Sequence, residues 1–307
     1  MSGVSAPRIA FIGLGNMGQP MARNLRRAGF SLAVNDVRRE AGTELIAEGA
    51  RWTSSPREVV AEAEVLITML PGPREVQQVL TGSDGAASGL RAGATWIDMS
   101  TSSPEVARAI GDQLASAGVS RLDAPVSGMA KGAHAGTLQI FVGGDYGCFQ
   151  EHLPVLRAMG DPERIFHVGP HGAGYTVKLL INLLWFIHSA AAAEVLVMGV
   201  RSGVDLEVLR RSLVASPANS HFVEHDVLSV FTGDYDQSFP LALVCKDLGL
   251  AVDMGRDLGV PVEVSALVEQ IHRRARAQYG ERGGEMLAVK LVEDAAGTEL
   301  RLPTGDA

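Results

Sequence analysis

Between residues 8 and 36 the chain carries a glycine pattern that few folds accommodate. Arg8–Ile12 is a short apolar run, and Gly13-Leu14-Gly15-Asn16-Met17-Gly18 follows it directly. Asn16–Ala28 then repeats Met17, Met21, Leu25 and Ala28 at helical spacing, Gly29 stands where a helix ends, and Leu32–Asp36 is a second apolar run. Strand, G-x-G-x-x-G turn, helix and strand together predict one βαβ unit that binds a dinucleotide. The first glycine makes the tight turn, the second lets backbone approach a pyrophosphate, and the third allows close helix–strand packing. Free N–H groups at the helix start draw the phosphates. Asp36 closes the second run 23 residues after Gly13, where a carboxylate accepts hydrogen bonds from a ribose and repels a 2′-phosphate. The candidate cofactor residues are therefore Gly13, Leu14, Gly15, Asn16, Met17, Gly18 and Asp36, and NAD is the expected cofactor. Arg38 and Arg39 lie just beyond and keep NADP open, since an arginine here pairs with that phosphate.

The alternation continues through Val65–Leu70, Thr95–Met99, Arg121–Ala124, Leu138–Val142 and Ile165–Val168. Residues 1–170 thus predict an α/β Rossmann domain with a doubly wound, mostly parallel sheet. Ser103-Pro104-Glu105 opens one of its helices with a cap, a first-turn proline and an acid at the positive end. After Gly169-Pro170-His171-Gly172 the strands cease, and helices are expected over Gly172–Gly203, Asp205–Val214, Phe239–Leu258 and Ser265–Gln278. Residues 171–307 are therefore expected to form an all-α domain, joined to the first by a helix of about 45 Å at 1.5 Å per residue. The stripe Leu184, Ile187, Ala191, Val195 and Met198 predicts core or subunit interface, and Ala295–Ala307 a loose tail.

Acidic residues outnumber basic ones 35 to 27, so neither a nucleic acid nor an anionic membrane is an expected partner. Cys148 and Cys245 are too far apart in sequence for a disulfide framework or zinc knuckle, which fits a reducing compartment. Met1–Pro7 has no leader pattern, and the apolar run Leu179–Ala193 is 15 residues, short of the ~20 that span a bilayer. The expectation is a cytoplasmic protein with that run as a buried helix.

A second constellation begins at Asp123-Ala124-Pro125-Val126-Ser127-Gly128 and continues through Gly132-Ala133-His134-Ala135-Gly136-Thr137-Leu138. Such a loop of small residues exposes backbone N–H groups suited to a carboxylate, though it also suits a tight crossover between strands. Gly172–Lys178 leads into Leu179-Leu180-Ile181-Asn182, where Lys178 and Asn182 are four apart and share a helix face. With the glycine turn and Lys246-Asp247-Leu248-Gly249-Leu250-Ala251, these make four collinear motifs over nearly the whole chain. In that set the sequence resembles the β-hydroxyacid dehydrogenases, which include 3-hydroxyisobutyrate dehydrogenases and tartronate semialdehyde reductases.

The resemblance implies a Rossmann domain followed by a helical domain that also dimerises, giving a homodimer or homotetramer. It implies a small carboxylate substrate held by Ser127 and Gly128, Lys178 as catalytic acid/base, and Asn182 as a substrate ligand. It further sets Leu70, Pro71, Thr101 and Lys246 against the cofactor. Two residues depart from the family pattern: Met129 stands where glycine is common, which should reshape the carboxylate loop, and Ile181 where asparagine is often found.

Transfer of hydride between a nicotinamide and a 3-hydroxy acid or its semialdehyde is the activity so implied. A solvated lysine, with a pKa near about 10.4, is a poor base at neutral pH, so the role calls for a site that disfavours the ammonium. An NADPH-dependent reductase of glyoxylate or succinic semialdehyde is the alternative enzyme, motivated by Arg38, Arg39 and Lys131. A catalytically silent dinucleotide-binding sensor or scaffold is the alternative of another class. An imine reductase shares the architecture, but Lys178 with Asn182 argues against it. His221-Phe222-Val223-Glu224-His225 matches H-x-x-E-H, yet without a third ligand or a strand framework it predicts a solvated helix, and no metal is expected. Trp185 faces the side of Lys178 and Asn182 and is either pocket wall or core; Phe231, Tyr235 and Phe239 are further pocket candidates.

Overall fold

All four residues of β1 (Ile9–Ile12) are buried, as befits a central parallel strand covered on both faces. In the computed structural model, which describes residues 6–236 and 238–302, β1 pairs in parallel with β2 (Leu32–Asn35) and with β4 (Val65–Thr68). β3 (Arg51–Trp52) flanks β2, while β5 (Thr95–Asp98) and β6 (Ser120–Asp123) extend the parallel sheet beyond β4. The strand order reverses between β1 and β4, and ligands of such sheets bind outside the carboxyl ends at that switch point. β8 (Leu138–Gly144) runs antiparallel to β6 and to β7 (Val126–Ser127), and β9 (Gly160–Gly169) lies parallel to β8.

Period-two alternation sends Ile9 and Phe11 to one face of the sheet and Ala10 and Ile12 to the other. The first face packs with Met21, Leu25, Leu45, Leu138 and Leu156, from helices and strand alike; the second packs with Val59, Leu80, Ile110 and Leu114. The helices around these layers are α1 (Gly18–Arg27), α2 (Thr43–Ala47), α3 (Pro56–Val59), α4 (Pro73–Thr81), α5 (Pro104–Ser116), α6 (Met129–Ala135) and α7 (Tyr146–Arg157). Ser103 caps α5 as its sequence predicts, its side chain accepting the Val106 N–H. Strands β3 and β7 were not expected, because two residues are too short to show a period.

α8 (Ala173–Arg201) is followed by α9 (Leu206–Val214), α10 (Val227–Phe231), α11 (Leu241–Asp257), α12 (Glu263–Tyr279) and α13 (Leu287–Ala296). The chain divides into compact units Met1–Lys178 and Leu179–Ala307, a division that falls inside α8. The cause is local: the backbone N–H groups of Gly172 and Tyr175 bond to Asp123 at the end of β6, tying the first turn of α8 to the sheet.

In the second unit α8 is buried on one side only. Phe186, Ala190, Ala193, Leu196 and Val197 enter its cores, whereas Leu180, Leu184, Val195 and Met198 are exposed. The expected stripe is thus not core at Leu184, Val195 or Met198. By length and hydropathy alone α8 is long enough to cross a membrane, but its buried side packs against protein.

The expected loose tail is also corrected where it is described. Residues 295–296 end α13, Leu300 is buried, and the Leu300 N–H and Arg301 both bond to the buried carboxylate of Glu293. Residues 303–307 of that expected tail lie outside the described residues.

Candidate active site

Three glycines of the β1–α1 turn answer to different constraints. A Cβ on Gly13 would lie 2.2 Å from the Met69 carbonyl oxygen, and one on Gly18 would lie 1.9 Å from that of Gly13. Both positions are closed by the protein's own backbone. A Cβ on Gly15 would meet nothing within 4 Å, so the space it leaves is available to a ligand. Leu14, Gly15, Asn16, Arg38, Glu44 and His134 are among the residues lining a cleft of about 570 Å³ at this turn. An open glycine at the amino end of a ten-residue helix suits the pyrophosphate of a dinucleotide.

Asp36 does more than wait for a ribose. Its Oδ2 accepts the Leu14 N–H at 2.7 Å and its Oδ1 accepts the Arg38 N–H at 2.8 Å, so the carboxylate braces the glycine turn. The Arg38 Nε stands 3.7 Å from Oδ1. Arg38 lines the cleft, while the guanidinium of Arg39 lies over the Trp52 ring.

Leu70, Pro71 and Thr101 sit on the loops leaving the carboxyl ends of β4 and β5, next to the switch point. Leu70 is fixed by its neighbours: its N–H donates to Ser100 Oγ at 2.9 Å, and that hydroxyl donates to Asp98 Oδ1 at 2.6 Å. Asp98 Oδ1 also accepts from Thr68 Oγ1, and its Oδ2 accepts from Tyr175 Oη at 2.7 Å. Burial pushes the Asp98 carboxyl above its ordinary range, against the pull of these donors. Burial likewise pushes Asp123 up to about 6, with the N–H groups of Gly172 and Tyr175 pulling the other way.

Ser127 pairs with Gln139 in the β7–β8 ladder, and Gly128 turns the chain out of it at φ +127°. Met129 follows at φ +54°, in the left-handed region that glycine enters freely and other residues enter at a cost of ~1–2 kcal/mol. The side chain of this departure from the family pattern is exposed.

Lys178 is half-buried on α8, three residues after the buried Tyr175, and Asn182 follows one helical turn later. In the second unit the Asn182 Nδ2 donates to Asp247 Oδ2 at 2.7 Å, and the Lys246 Nζ lies 2.8 Å from Oδ1 of the same carboxylate. Asp247 is buried, so it fixes the orientation of the Asn182 amide. Asp247 lies within the fourth sequence motif, but no local pattern in the sequence assigns a role to it, to Asp98 or to Tyr175. The available signal was an acid inside an otherwise apolar run.

The further pocket candidates all make packing or hydrogen-bond contacts within the second unit. The Trp185 indole N–H donates to Asp226 Oδ2 at 2.7 Å, and its ring meets Phe186 and Phe222 edge-on. Phe231 is buried in the same core, Phe239 packs beside Phe186, and the Tyr235 hydroxyl bonds to Glu293. The His221–His225 segment carries a π-helical turn, Phe222–Asp226, with both imidazoles in solvent and their rings 4.7 Å apart. Among the described residues no three His, Cys, Asp or Glu side chains converge as metal ligands.

Residues 8–169 match the family described as the NAD binding domain of 6-phosphogluconate dehydrogenase. Residues 172–292 match that described as the NAD-binding domain of NADP-dependent 3-hydroxyisobutyrate dehydrogenase. The chain is 35% identical to 2-(hydroxymethyl)glutarate dehydrogenase of Eubacterium barkeri, over 95% of this chain and 97% of that one. It is 37% identical to 3-hydroxyisobutyrate dehydrogenase of Pseudomonas aeruginosa, over 88% and 94%. The solved 3-hydroxyisobutyrate dehydrogenase of Mycobacterium tuberculosis with L-serine superposes with a TM-score of 0.86 at 32% identity, covering 94% of this chain and 99% of that one.

Proposed function

The chain belongs to the β-hydroxyacid dehydrogenase family, an NAD(P)-dependent oxidoreductase of hydroxy acids, and from that premise we propose that it acts on a small 3-hydroxy acid or its semialdehyde with Lys178 as acid/base. A bound nicotinamide supplies the hydride acceptor or donor at the carbinol carbon. In oxidation the neutral Lys178 Nζ accepts the hydroxyl proton, and in reduction its ammonium returns it. Ser127 and Gly128 hold the substrate carboxylate through the turn out of β7, and Asn182 hydrogen-bonds the substrate with its amide oriented by Asp247. The observation that carries this reading is the anchoring of the first turn of α8 by Asp98 and Asp123, which presents Lys178 from a fixed support. Lys178→Ala tests it: turnover should fall by roughly the 10²–10⁴-fold that general acid–base catalysis contributes, with NAD affinity retained. Normal turnover in that variant overturns the role.

NAD is the proposed physiological cofactor, supported by the Asp36 carboxylate beside the glycine turn, which repels a 2′-phosphate. Asp36→Ala should weaken NAD far more than NADP, and equal losses with both would sink the assignment. A second reading, NADPH-dependent reduction of glyoxylate or short semialdehydes, draws support from Arg38 at the cleft. Rates with NADH and NADPH on succinic semialdehyde separate the two. The outward apolar face of α8, with Leu180, Leu184, Val195 and Met198, supports self-association through the helical unit as a homodimer or a dimer-based tetramer. Analytical ultracentrifugation of wild type and Met198→Glu tests that proposal, which a monomeric wild type contradicts.

A further inference from the structure

Two acids end neighbouring strands in the sheet: Asp98 on β5 and Asp123 on β6 are direct register partners, and both are fully buried. Tyr175 meets each of them. Its backbone N–H donates to Asp123 Oδ2 at 3.0 Å and its phenolic hydroxyl donates to Asp98 Oδ2 at 2.7 Å. A backbone anchor alone fixes the height of a helix against a sheet but leaves it free to roll about its axis. A side-chain anchor on the same residue stops the roll. Lys178 is one turn further along, so its direction depends on both anchors.

We propose that Asp98 is a positioning residue for Lys178, acting through the hydroxyl of Tyr175. Packing does not call for an acid at this point, because the rest of β5 consists of Thr95, Trp96 and Ile97 within apolar layers. A buried carboxylate is costly unless hydrogen-bonded, and an apolar pair of the same size would fill the space with less expense. What the carboxylate adds is a connection. Its Oδ1 takes the hydroxyls of Thr68 and Ser100, and the same Ser100 hydroxyl holds the Leu70 N–H. One side chain therefore joins the loop after β4, the loop after β5 and the first turn of α8: the two loops carry candidate cofactor residues, and Lys178 follows one turn after the third segment.

This inference rests on the acid/base reading of Lys178. The test uses Tyr175→Phe, which removes one oxygen and keeps both the ring and the backbone N–H to Asp123, with Asp98→Asn as the second variant. Both are compared with wild type at temperatures where circular dichroism shows them folded. Tyr175→Phe should lower kcat roughly ten- to a hundredfold, the scale of a misplaced catalytic group. NAD affinity by fluorescence titration should stay unchanged, and the solvent deuterium isotope effect on kcat should rise as proton transfer becomes slower. The double variant should be no slower than the slower single one, because both remove the same connection. A purely structural role predicts lower thermal stability with kcat and isotope effect unchanged, and that result in both single variants overturns the proposal. An inactive Lys178→Ala beside a fully active Tyr175→Phe refutes positioning alone, whereas an active Lys178→Ala refutes the reading beneath it.

Discussion

Gly15→Ala and Gly18→Ala are chemically the same change three residues apart, yet the structure predicts opposite outcomes. At Gly18 the new methyl would sit 1.9 Å from the Gly13 carbonyl oxygen, a backbone atom that cannot rotate aside. Overpacking of this kind costs about 1–3 kcal/mol or more, which lowers Tm by several degrees at about 2–4 °C per kcal/mol. At Gly15 the methyl meets nothing within 4 Å, and the residue's φ is not among the positive ones. Folding therefore loses nothing, and the stiffer unfolded chain contributes about 0.4–1 kcal/mol in the opposite direction, an increase of about 1–4 °C. The cost appears only with ligand, because the methyl occupies the approach of the pyrophosphate. A loss of NAD affinity of at least about tenfold, or 1.4 kcal/mol, is expected. Calorimetry of the apoprotein and NAD titration by fluorescence read the two effects separately. Wild-type NAD affinity in Gly15→Ala would refute the placement of the pyrophosphate against Gly15, and a destabilised apoprotein would refute the claim that its space is empty of protein.

Three further predictions concern stability and selectivity. Asp123 has a folded value raised to about 6 from an ordinary 3.8, so its contribution is fullest below about pH 4 and is lost as pH rises through about 6. The loss is on the order of 3 kcal/mol, and in urea unfolding the change in stability between pH 4 and 7 should be larger in wild type than in Asp123→Asn by about that amount; parallel curves would contradict it. Among the described residues, Arg301→Ala leaves the buried Glu293 carboxylate with the Tyr235 hydroxyl and the Leu300 N–H. The expected loss is about 3 kcal/mol in chemical denaturation, the low end for a broken buried pair because water reaches the arginine side. Met129→Gly relieves the left-handed backbone at φ +54° but makes the unfolded chain looser, for a net gain of about 0.5 kcal/mol. Its larger effect should be a changed KM for short 3-hydroxy acids with NAD affinity unaltered, and an unchanged substrate profile would remove Met129 from the site.

What could be read from the chain followed the range of the interactions. The β1–turn–α1–β2 unit is contiguous, so its glycines, its helix period and Asp36 were all visible at once. The two shortest strands were not, since parallel β3 and antiparallel β7 are two residues each and owe their existence to neighbours. α13 has apolar spacing at Leu287 and Leu291, but the polar composition of the residues that follow masks the contacts its end makes with Leu300 and Arg301. Lys178, Asn182 and Lys246 came from family resemblance and not from any local pattern. Asp98, Asp123 and Tyr175 form contacts spanning 77 and 52 residues, and no window along the sequence brings them together. Asp36 shows the converse: its position was legible, but its bond to the Leu14 N–H required the folded turn.

The position of the unit boundary turns this argument into a last prediction. Division at residue 170, where the strands cease, would leave Gly172 and Tyr175 outside the first unit, although both donate to Asp123 and Tyr175 also donates to Asp98. A fragment ending there loses a fully buried tyrosine ring, about 1.5–3 kcal/mol, and three hydrogen bonds to carboxylates at about 1.5–3 kcal/mol each. Water then reaches the two acids and returns part of that sum, so the net deficit should be about 3–5 kcal/mol rather than the full total. Residues 1–178 retain the donors and should unfold at a clearly higher urea concentration than residues 1–170. Tyr175→Phe in the longer fragment should lose only the part due to the Asp98 bond, leaving the Asp123 anchor intact. Coincident unfolding of the two fragments would show that the first turn of α8 adds nothing to the sheet, and with it would fall the reason for treating that turn as the support of Lys178.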